Sequence, residues 1–535
     1  MRRIAVLGLL MSALFVPASE AQTFTTSEVF VSQSPSIPNA TSAQEDPRIS
    51  VSDEGNVLVV WERIVDEVFG SGVDHGIYRR SFDAADASTG ESIAADGPLN
   101  ETDPSLAGNG SGKAVLVYHL GDFENVPACT PPSYGKVRSQ VYLQGVPSGG
   151  DQVNANGGGG RRGAVGISSG EAYAVAYESN DCPGLNIMRG TKMRRFDPSL
   201  PGGINLNGLI SELPLAVAVN SFGSTAVVIA DGSSGFCDTA SPCPLQIHRF
   251  AADGTVLPAI SFDFYANTGT VTTFDPVIAL RDDGSLVVVW VRKVFDSSES
   301  TPILSVLARI YGSSGSALTP EIEVSHGVTP ANAQAFVSPS LAVDRNGDFV
   351  VAFGIEGQAY LRAYSSAGTA RSAPVEVSDR QVSALSVALA DNGSGAVAFL
   401  SGSAGEIHYR RFSTGAVVEP CVPSAAALCL NNNRFEVSAT WRIPGGGSGS
   451  GQAIPLTIDT GYFWFFDAAN VEVILKVLDG CGVNGRYWVF ASGLTDVNVE
   501  LTVTDTRTGI RRIYRNPQGT AFQPIQDTSA FATCP

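Results

Sequence analysis

The chain has 535 residues, of which 52 are acidic and 34 basic, giving a formal charge of -18, with 16% charged residues and 57 glycines. An anionic surface repels phosphate backbones and anionic lipids, which argues against nucleic acid or a membrane surface as the main partner. Low charge with abundant Gly, Ser, Thr and Val excludes a disordered chain and suits a many-stranded β protein with tight turns.

Met1-Arg2-Arg3 is basic and leads into an apolar run from Ile4 to Val16, then Pro17-Ala18-Ser19-Glu20-Ala21. That order is the layout of a cleaved export signal, so residues 1–21 are expected to be a signal peptide. No later segment approaches the ~20 continuous apolar residues that a spanning helix requires. The expectation is a mature monomer that is secreted and extracellular, with the periplasm as the other compartment. Eight cysteines in an exported chain read as disulfides before metal thiolates. Cys237 and Cys243 share one Pro-rich loop, and Cys129 and Cys182 fall in equivalent loops of successive repeats. Cys421, Cys429, Cys481 and Cys534 are confined to the last stretch, where two bridges are expected with open connectivity.

Residues 22–419 carry a repeat. Its first copy opens at Asp46-Pro47, turns at Asp53-Glu54-Gly55 and continues through Val57-Leu58-Val59-Val60-Trp61. Asp103-Pro104 to Tyr118, Asp275-Pro276 to Trp290 and Ser338-Pro339 to Phe353 repeat the spacing. In all four the Pro precedes the turn Gly by eight positions and the aromatic follows it by six. Weaker copies run from Arg162 to Tyr177, Pro214 to Ile229 and Ser383 to Phe399, making seven units. A third strand in most units ends in Arg and an aromatic, as in Arg249-Phe250, where the Arg is read as pairing across strands or between units. Four short strands per unit, recurring at roughly 45 to 60 residues, predict an all-β fold, a seven-bladed β-propeller. The seventh unit lacks a fourth strand after Arg411-Phe412, and Val29-Phe30-Val31-Ser32 matches that missing pattern. The N-terminal strand is therefore expected to close the last blade and hide an edge that would otherwise template aggregation.

The turns joining first to second strands are short, whereas the second-to-third connections are long in the first five units. Long loops on a rigid scaffold are where binding usually resides. The candidate ligand-binding residues are accordingly Asp66, Glu67, Asp74, His75, His119, Asp122, Glu124 and Asp181. Such an acidic set could hold Ca²⁺ or meet a basic or hydroxyl-rich ligand; solvated loops are the simpler reading. Asp46, Asp103 and Asp275 could form part of an axial ring or cap their own turns. Asp344-Arg345-Asn346-Gly347-Asp348 lacks the Glu of a calcium loop and reads as a hairpin. Gly166-Ile167-Ser168-Ser169-Gly170 matches a nucleophile-elbow string but sits in a hairpin turn, not between strand and helix. No cofactor is expected beyond that possible Ca²⁺.

From Cys421 the periodicity changes, and residues 420–535 are expected to form a disulfide-linked β-sandwich-like domain. Gly445 to Gly451 reads as a loop, and the aromatic run Tyr462 to Phe466 as core packing before a carbohydrate platform. Cys421-Val422-Pro423, Cys429-Leu430-Asn431-Asn432, Gly461 to Phe466, Asp479 to Gly485, Tyr487-Trp488-Val489-Phe490 and Thr502-Val503-Thr504-Asp505 together resemble a C-terminal module recurring in secreted proteins of environmental bacteria. That family has no assigned activity, so the resemblance implies secretion and domain limits only. The repeat region resembles the Gly-turn, Val-rich units of bacterial extracellular propellers, a functionally mixed group. Two functions remain for such a chain: non-catalytic recognition of an extracellular glycan or protein on the long-loop face, or a polysaccharide hydrolase or lyase with a carboxylate pair in the axial pocket.

Overall fold

The computed structural model describes residues 22–33, 42–66, 73–95, 100–121, 136–153, 159–168, 172–181, 188–197, 200–206, 214–220, 223–230, 243–265, 271–294, 303–325, 337–402, 405–414, 421–444, 447–507 and 510–534. The chain is all-β, its one short helix being Cys481–Asn484 among the described residues. Among the described residues, seven consecutive antiparallel sheets precede residue 415, and six of them are four-stranded meanders of strands consecutive in sequence. The first holds Ser42–Val51, Val57–Asp66, Val73–Phe82 and Ser88–Ala95. The seventh holds Val382–Leu389, Ser394–Ser401 and Glu406–Ser413, completed by Thr23–Phe24 and Val29–Gln33 from the far end of the chain. There Val29 faces Tyr409 and Phe30 faces His408, while Phe24 faces Phe412. The first strands of successive sheets pack side by side in sequence order, and that of the seventh packs against that of the first.

The repeated residues owe their spacing to three constraints. Gly55, Gly112, Gly223, Gly284, Gly347 and Gly393 all have φ between 77° and 83°, so each first-to-second turn demands a residue without Cβ. Each of these glycines donates its amide to the carbonyl three residues earlier, as Gly284 does to Arg281 at 3.0 Å. Six positions later Trp61 and Trp290 are fully buried between neighbouring sheets, with Phe353 1% exposed in the same role. Eight positions before, the Pro lies in a bulge: the register of the first strand slips between Glu45 and Arg48, Thr102 and Ser105, and Phe274 and Val277. A bulge is where a strand tolerates a residue lacking its amide hydrogen.

The third-strand arginines do pair between sheets, but mainly with backbone carbonyls rather than the acidic side chains suggested by their setting. Arg249 donates to Ser313 O of the next sheet at 2.6 Å, Arg362 to Val324 O of the preceding one at 2.9 Å, and Arg411 to Gly55 O of the first at 2.7 Å.

After residue 420 two five-stranded sheets share one core, in which Phe435, Phe463, Val489 and Leu501 are fully buried. Phe463 and Phe465 enter this core, whereas Tyr462 and Trp464 are half-buried on the other face and Phe466 is 52% exposed, so the aromatic run alternates between core and surface. Part of the expected loop at 445–451 is a strand instead: Ser448–Ser450 pairs with Thr440–Arg442, where Gly449 lies against the Trp441 ring. The open connectivity resolves as Cys421–Cys429 and Cys481–Cys534. Cys129, Cys182 and Cys237 lie outside the described residues, as does the side chain of Cys243. Cys481–Cys534 closes a separation of 53 residues. By loop entropy its removal costs up to about 4 kcal/mol, against about 2.5 kcal/mol for the shorter bridge. Cys481→Ser is thus expected to lower the denaturant midpoint of the last 115 or so residues more than Cys429→Ser does.

Candidate functional site

The first strands of the seven sheets line a cavity of about 260 Å³ at their short-turn ends, with Ile49, Leu106, Val165, Val217, Ile278, Leu341 and Val387 in its wall.

At the short-turn end stand Asn109, Asn220, Asp282, Asp344, Arg345 and Asp391. Arg511, on the strand Arg511–Asn516 of the sheets that follow residue 420, reaches into this end. Its side chain is 9% exposed, is paired with Asp391, and has Nε 3.8 Å from Asp53 Oδ2. Arg512 Nη2 donates to Glu54 Oε1 at 2.6 Å, and Arg345 Nη1 donates to Thr504 Oγ1 at 2.9 Å. Asp53 and Asp391 converge: a Cβ at Gly110 would lie 2.5 Å from one Oδ2 and 2.6 Å from the other. Burial pushes Asp53 up to about 6, against the pull of Arg511, Arg345 and Arg512. Asp344 is pushed up to about 7 by burial and by Asp348 beside it.

The bulges stand towards the other ends of the first strands. Asp46, Asp103 and Asp275 have φ of 47°, 54° and 49°, a left-handed conformation that costs a residue with a side chain on the order of 1 kcal/mol or more. Adjacent sheets are joined at this level. Ser338 Oγ donates to Asp275 Oδ2 at 2.6 Å, Arg48 Nε donates to Pro104 O at 3.1 Å, and the Asp103 amide donates to Glu62 Oε2 at 3.1 Å. Asp275 through its carboxylate and Asp103 through its amide thus link neighbouring sheets, whereas Asp46 lies 4.0 Å from Arg48 of its own strand. Asp344, by contrast, does cap its turn, accepting from the amides of Asn346 and Asp348 at 2.9 Å each. Glu62 is buried, and its other oxygen lies 2.6 Å from His75 Nδ1. Burial raises the Glu62 pKa, opposed by the hydrogen bonds from His75 and Asp103.

Of the residues singled out by sequence, His75 lies at this level through Glu62, and His119 is 1% exposed within the second sheet, opposite Thr102. Asp66, Asp74 and Asp181 sit near the ends of long strands facing Val73, Val65 and Met188, with their side chains outside the described ones. Glu67, Asp122 and Glu124 lie outside the described residues. Among the described residues no three His, Cys, Asp or Glu side chains converge as a bound metal would need. The Ser168 hydroxyl of the elbow-like string donates to Ala172 O at 3.0 Å and so serves its turn. Sequence reading missed Glu62, although it follows the buried Trp61, at the position His119 holds after Tyr118. The adjacent charges Glu62 and Arg63 interrupt the apolar run of that strand, which was the available signal. Among the described residues no helix is long and apolar enough to cross a membrane.

No protein-family model matches the chain, and no curated protein does. Similar solved structures include a protein of unknown function from Dyadobacter fermentans, 8% identical, covering 70% of this chain and 100% of that one with a TM-score of 0.38. An ulvan lyase of a polysaccharide lyase family, bound to -[GlcA(1-4)Rha3S]-, is 10% identical over 71% of this chain and 95% of its own, with a TM-score of 0.39. The intramolecular trans-sialidase of Ruminococcus gnavus is 10% identical over 69% and 94%, with a TM-score of 0.32.

Proposed function

We propose that this chain is a secreted recognition protein: a seven-bladed propeller over residues 22–419, closed by its N-terminal strands and carrying an accessory module over 420–535. Its ligand, a glycan or a protein segment, binds at the long-loop end of the channel. One observation carries the choice of end: Arg511 and its neighbours occupy the short-turn mouth, so the chain itself covers that side. The exposed Asp275 carboxylate with Ser338, and the half-exposed Asp46 and Asp103, offer acceptors to a hydroxyl-rich ligand, which favours a glycan. A rim built on strained bulges also holds its carboxylates in place before the ligand arrives, which reduces the ordering cost of binding.

The enzyme reading draws on Glu62, a buried carboxyl with raised proton affinity next to the rim, as a general acid requires. Incubation with a panel of immobilised extracellular polysaccharides separates the two. Retention weakened about tenfold by Asp46→Asn with Asp275→Asn, and no new reducing ends or unsaturated uronates, is the expected result. Release of such products, lost in Glu62→Gln, would replace recognition by catalysis. Retention by immobilised proteins alone would make the ligand a protein.

A further inference from the structure

The last five-stranded sheet, from Gln452–Pro455 to Ile525–Phe531, buries one face against the core around Phe463 and Val489. Its other face carries aromatic rings where a half-solvated sheet ordinarily places polar residues. Tyr462 and Trp464 alternate outward from Phe463, and Trp488 and Phe490 alternate outward from Val489. Register orders them: Tyr462 faces Ile474, whose other neighbour is Ser492, while Phe490 faces Lys476 and Trp488 faces Leu478. With about 7 Å between successive same-face positions and about 4.8 Å between strands, the rings form a diagonal stripe roughly 20 Å long from Trp464 to Trp488. Trp488 is fixed in place: it lies over Gly480, where a side chain would strike the indole, and its Nε1 donates to Asn484 Oδ1 at 2.8 Å. Its ring centroid is 6.4 Å from that of Phe490 with the planes at 78°, so the stripe is stepped. Charge on this face has one sign. Lys476 and Arg486 share it with Phe490 and Trp488, and no outward position of the five strands is acidic, in a chain of 52 acidic and 34 basic residues. Lys476 Nζ stands 5.3 Å from the centroid of the Phe490 ring, and neither cation has an ion pair or a side-chain hydrogen bond among the described residues. Asp459, whose carbonyl accepts the Val477 amide, is taken up by the Thr457 and Thr460 hydroxyls at 2.6 and 2.9 Å.

We propose that this stripe is a second binding site, for a single chain of uronate sugars, separate from the site at the long-loop end and independent of it. Aromatic rings take the C–H faces of stacked pyranoses while the sugar hydroxyls stay in water. A uronate carboxylate is bonded directly to the sugar ring, so a sugar stacked on Phe490 or Trp488 holds its charge at the level of the cations beside them. Arg486 offers that carboxylate a planar fork and Lys476 a point charge. A stepped stripe suits one twisted chain rather than a flat crystalline surface. Charge also separates the possible occupants. A second copy meeting this face with its own would set Lys476 and Arg486 against like charges. Duplex nucleic acid or a membrane spreads dense charge beyond the stripe and meets the acidic remainder of the protein, whereas a single sugar chain touches the stripe alone. Carboxylates farther than about 8 Å from that chain are screened at physiological ionic strength.

Affinity electrophoresis of the full-length protein tests this, in gels containing polygalacturonate, alginate or hyaluronate, with dextran, dextran sulfate and poly(dT) gels for comparison. Retardation by at least one of the uronate polymers is expected. Lys476→Gln with Arg486→Gln is expected to weaken the apparent affinity about tenfold or more, and Trp488→Ala about fivefold. Asp46→Asn with Asp275→Asn is expected to leave it unchanged, which separates this site from the long-loop end. Migration unaffected by every uronate polymer overturns the proposal. So does equal retardation by dextran, which would make the cations irrelevant, or retardation by dextran sulfate or poly(dT) alone. Loss of binding in the Asp46→Asn, Asp275→Asn variant, with the Lys476→Gln, Arg486→Gln protein still retarded, overturns it as well and moves the sugar to the other site. Should Trp488→Ala fold poorly, the paired Gln variant decides alone, and parent-like affinity there overturns the proposal.

Discussion

Deleting residues 22–33 is expected to abolish soluble monomeric protein. The strand Glu406–Ser413 would lose both partners on its outer edge, Thr23–Phe24 and Val29–Gln33. Val31 is fully buried in a core shared with Ile49, Trp61 and Tyr409, and its loss alone costs about 2 kcal/mol. Arg80 would lose its acceptor at Val31 O, and the Arg411 amide would lose Thr26 Oγ1. With each net hydrogen bond worth about 1 kcal/mol, the sum approaches the 5–15 kcal/mol by which a typical domain is stable. An unpaired edge flanked by apolar side chains is also a template for association. Size-exclusion chromatography should show aggregate in place of monomer, and a synthetic 22–33 peptide present during refolding should restore part of the monomer. A deletion variant melting within a few degrees of the parent would show that the N-terminal strands contribute little.

The second large effect is expected from Arg434→Ala. Arg434 Nη2 donates to Asp505 Oδ2 at 2.8 Å, Nη1 donates to Tyr487 Oη at 2.8 Å, and Nη2 also reaches Thr533 Oγ1 at 3.0 Å. Asp505 is completely buried, so truncating its partner strands an anion in the domain core, a loss of about 3–5 kcal/mol. The same guanidinium ties down Thr533, next to the Cys534 bridge, so the C-terminal tail should loosen as well. Replacing both members, Arg434→Met with Asp505→Leu, removes the stranded charge and is expected to recover more than half of the lost stability. Denaturant unfolding followed by Trp fluorescence checks this. Equal losses in the single and double variants would mean that the hydrogen bonds to Tyr487 and Thr533, not the ion pair, hold the site.

The repeat was legible because three local demands, a bulge at Pro, a left-handed turn at Gly and an aromatic ring six residues on, mark the first, second, fifth and sixth units at fixed spacing. The partner of the seventh sheet was legible because a missing strand and an orphan strand shared one pattern. The candidate site was less so. Glu62 could be suspected from the Glu62-Arg63 pair that interrupts an apolar run, but not its links to His75 and Asp103, which join different strands and different sheets. Asp53 and Asp344 looked like ordinary turn residues, and no local pattern ties them to Arg511, which belongs to a domain of different periodicity. The carbonyl partners of Arg249, Arg362 and Arg411 were hidden for a related reason: backbone acceptors leave no trace in residue identity.

The pairing of Val29 with Tyr409 also sets a schedule. A ribosome adding about 5–20 residues per second needs on the order of 20–80 s to make the intervening chain. The strands at 23–33 must therefore wait, unpaired, for the last third of the molecule, while each middle sheet can form from neighbouring residues as it emerges. Completion is a late, long-range event with a large loop-closure cost. A chain truncated anywhere before residue 406 leaves the waiting segment without its mate, so premature termination should produce material recognised by quality-control proteases rather than a smaller working protein.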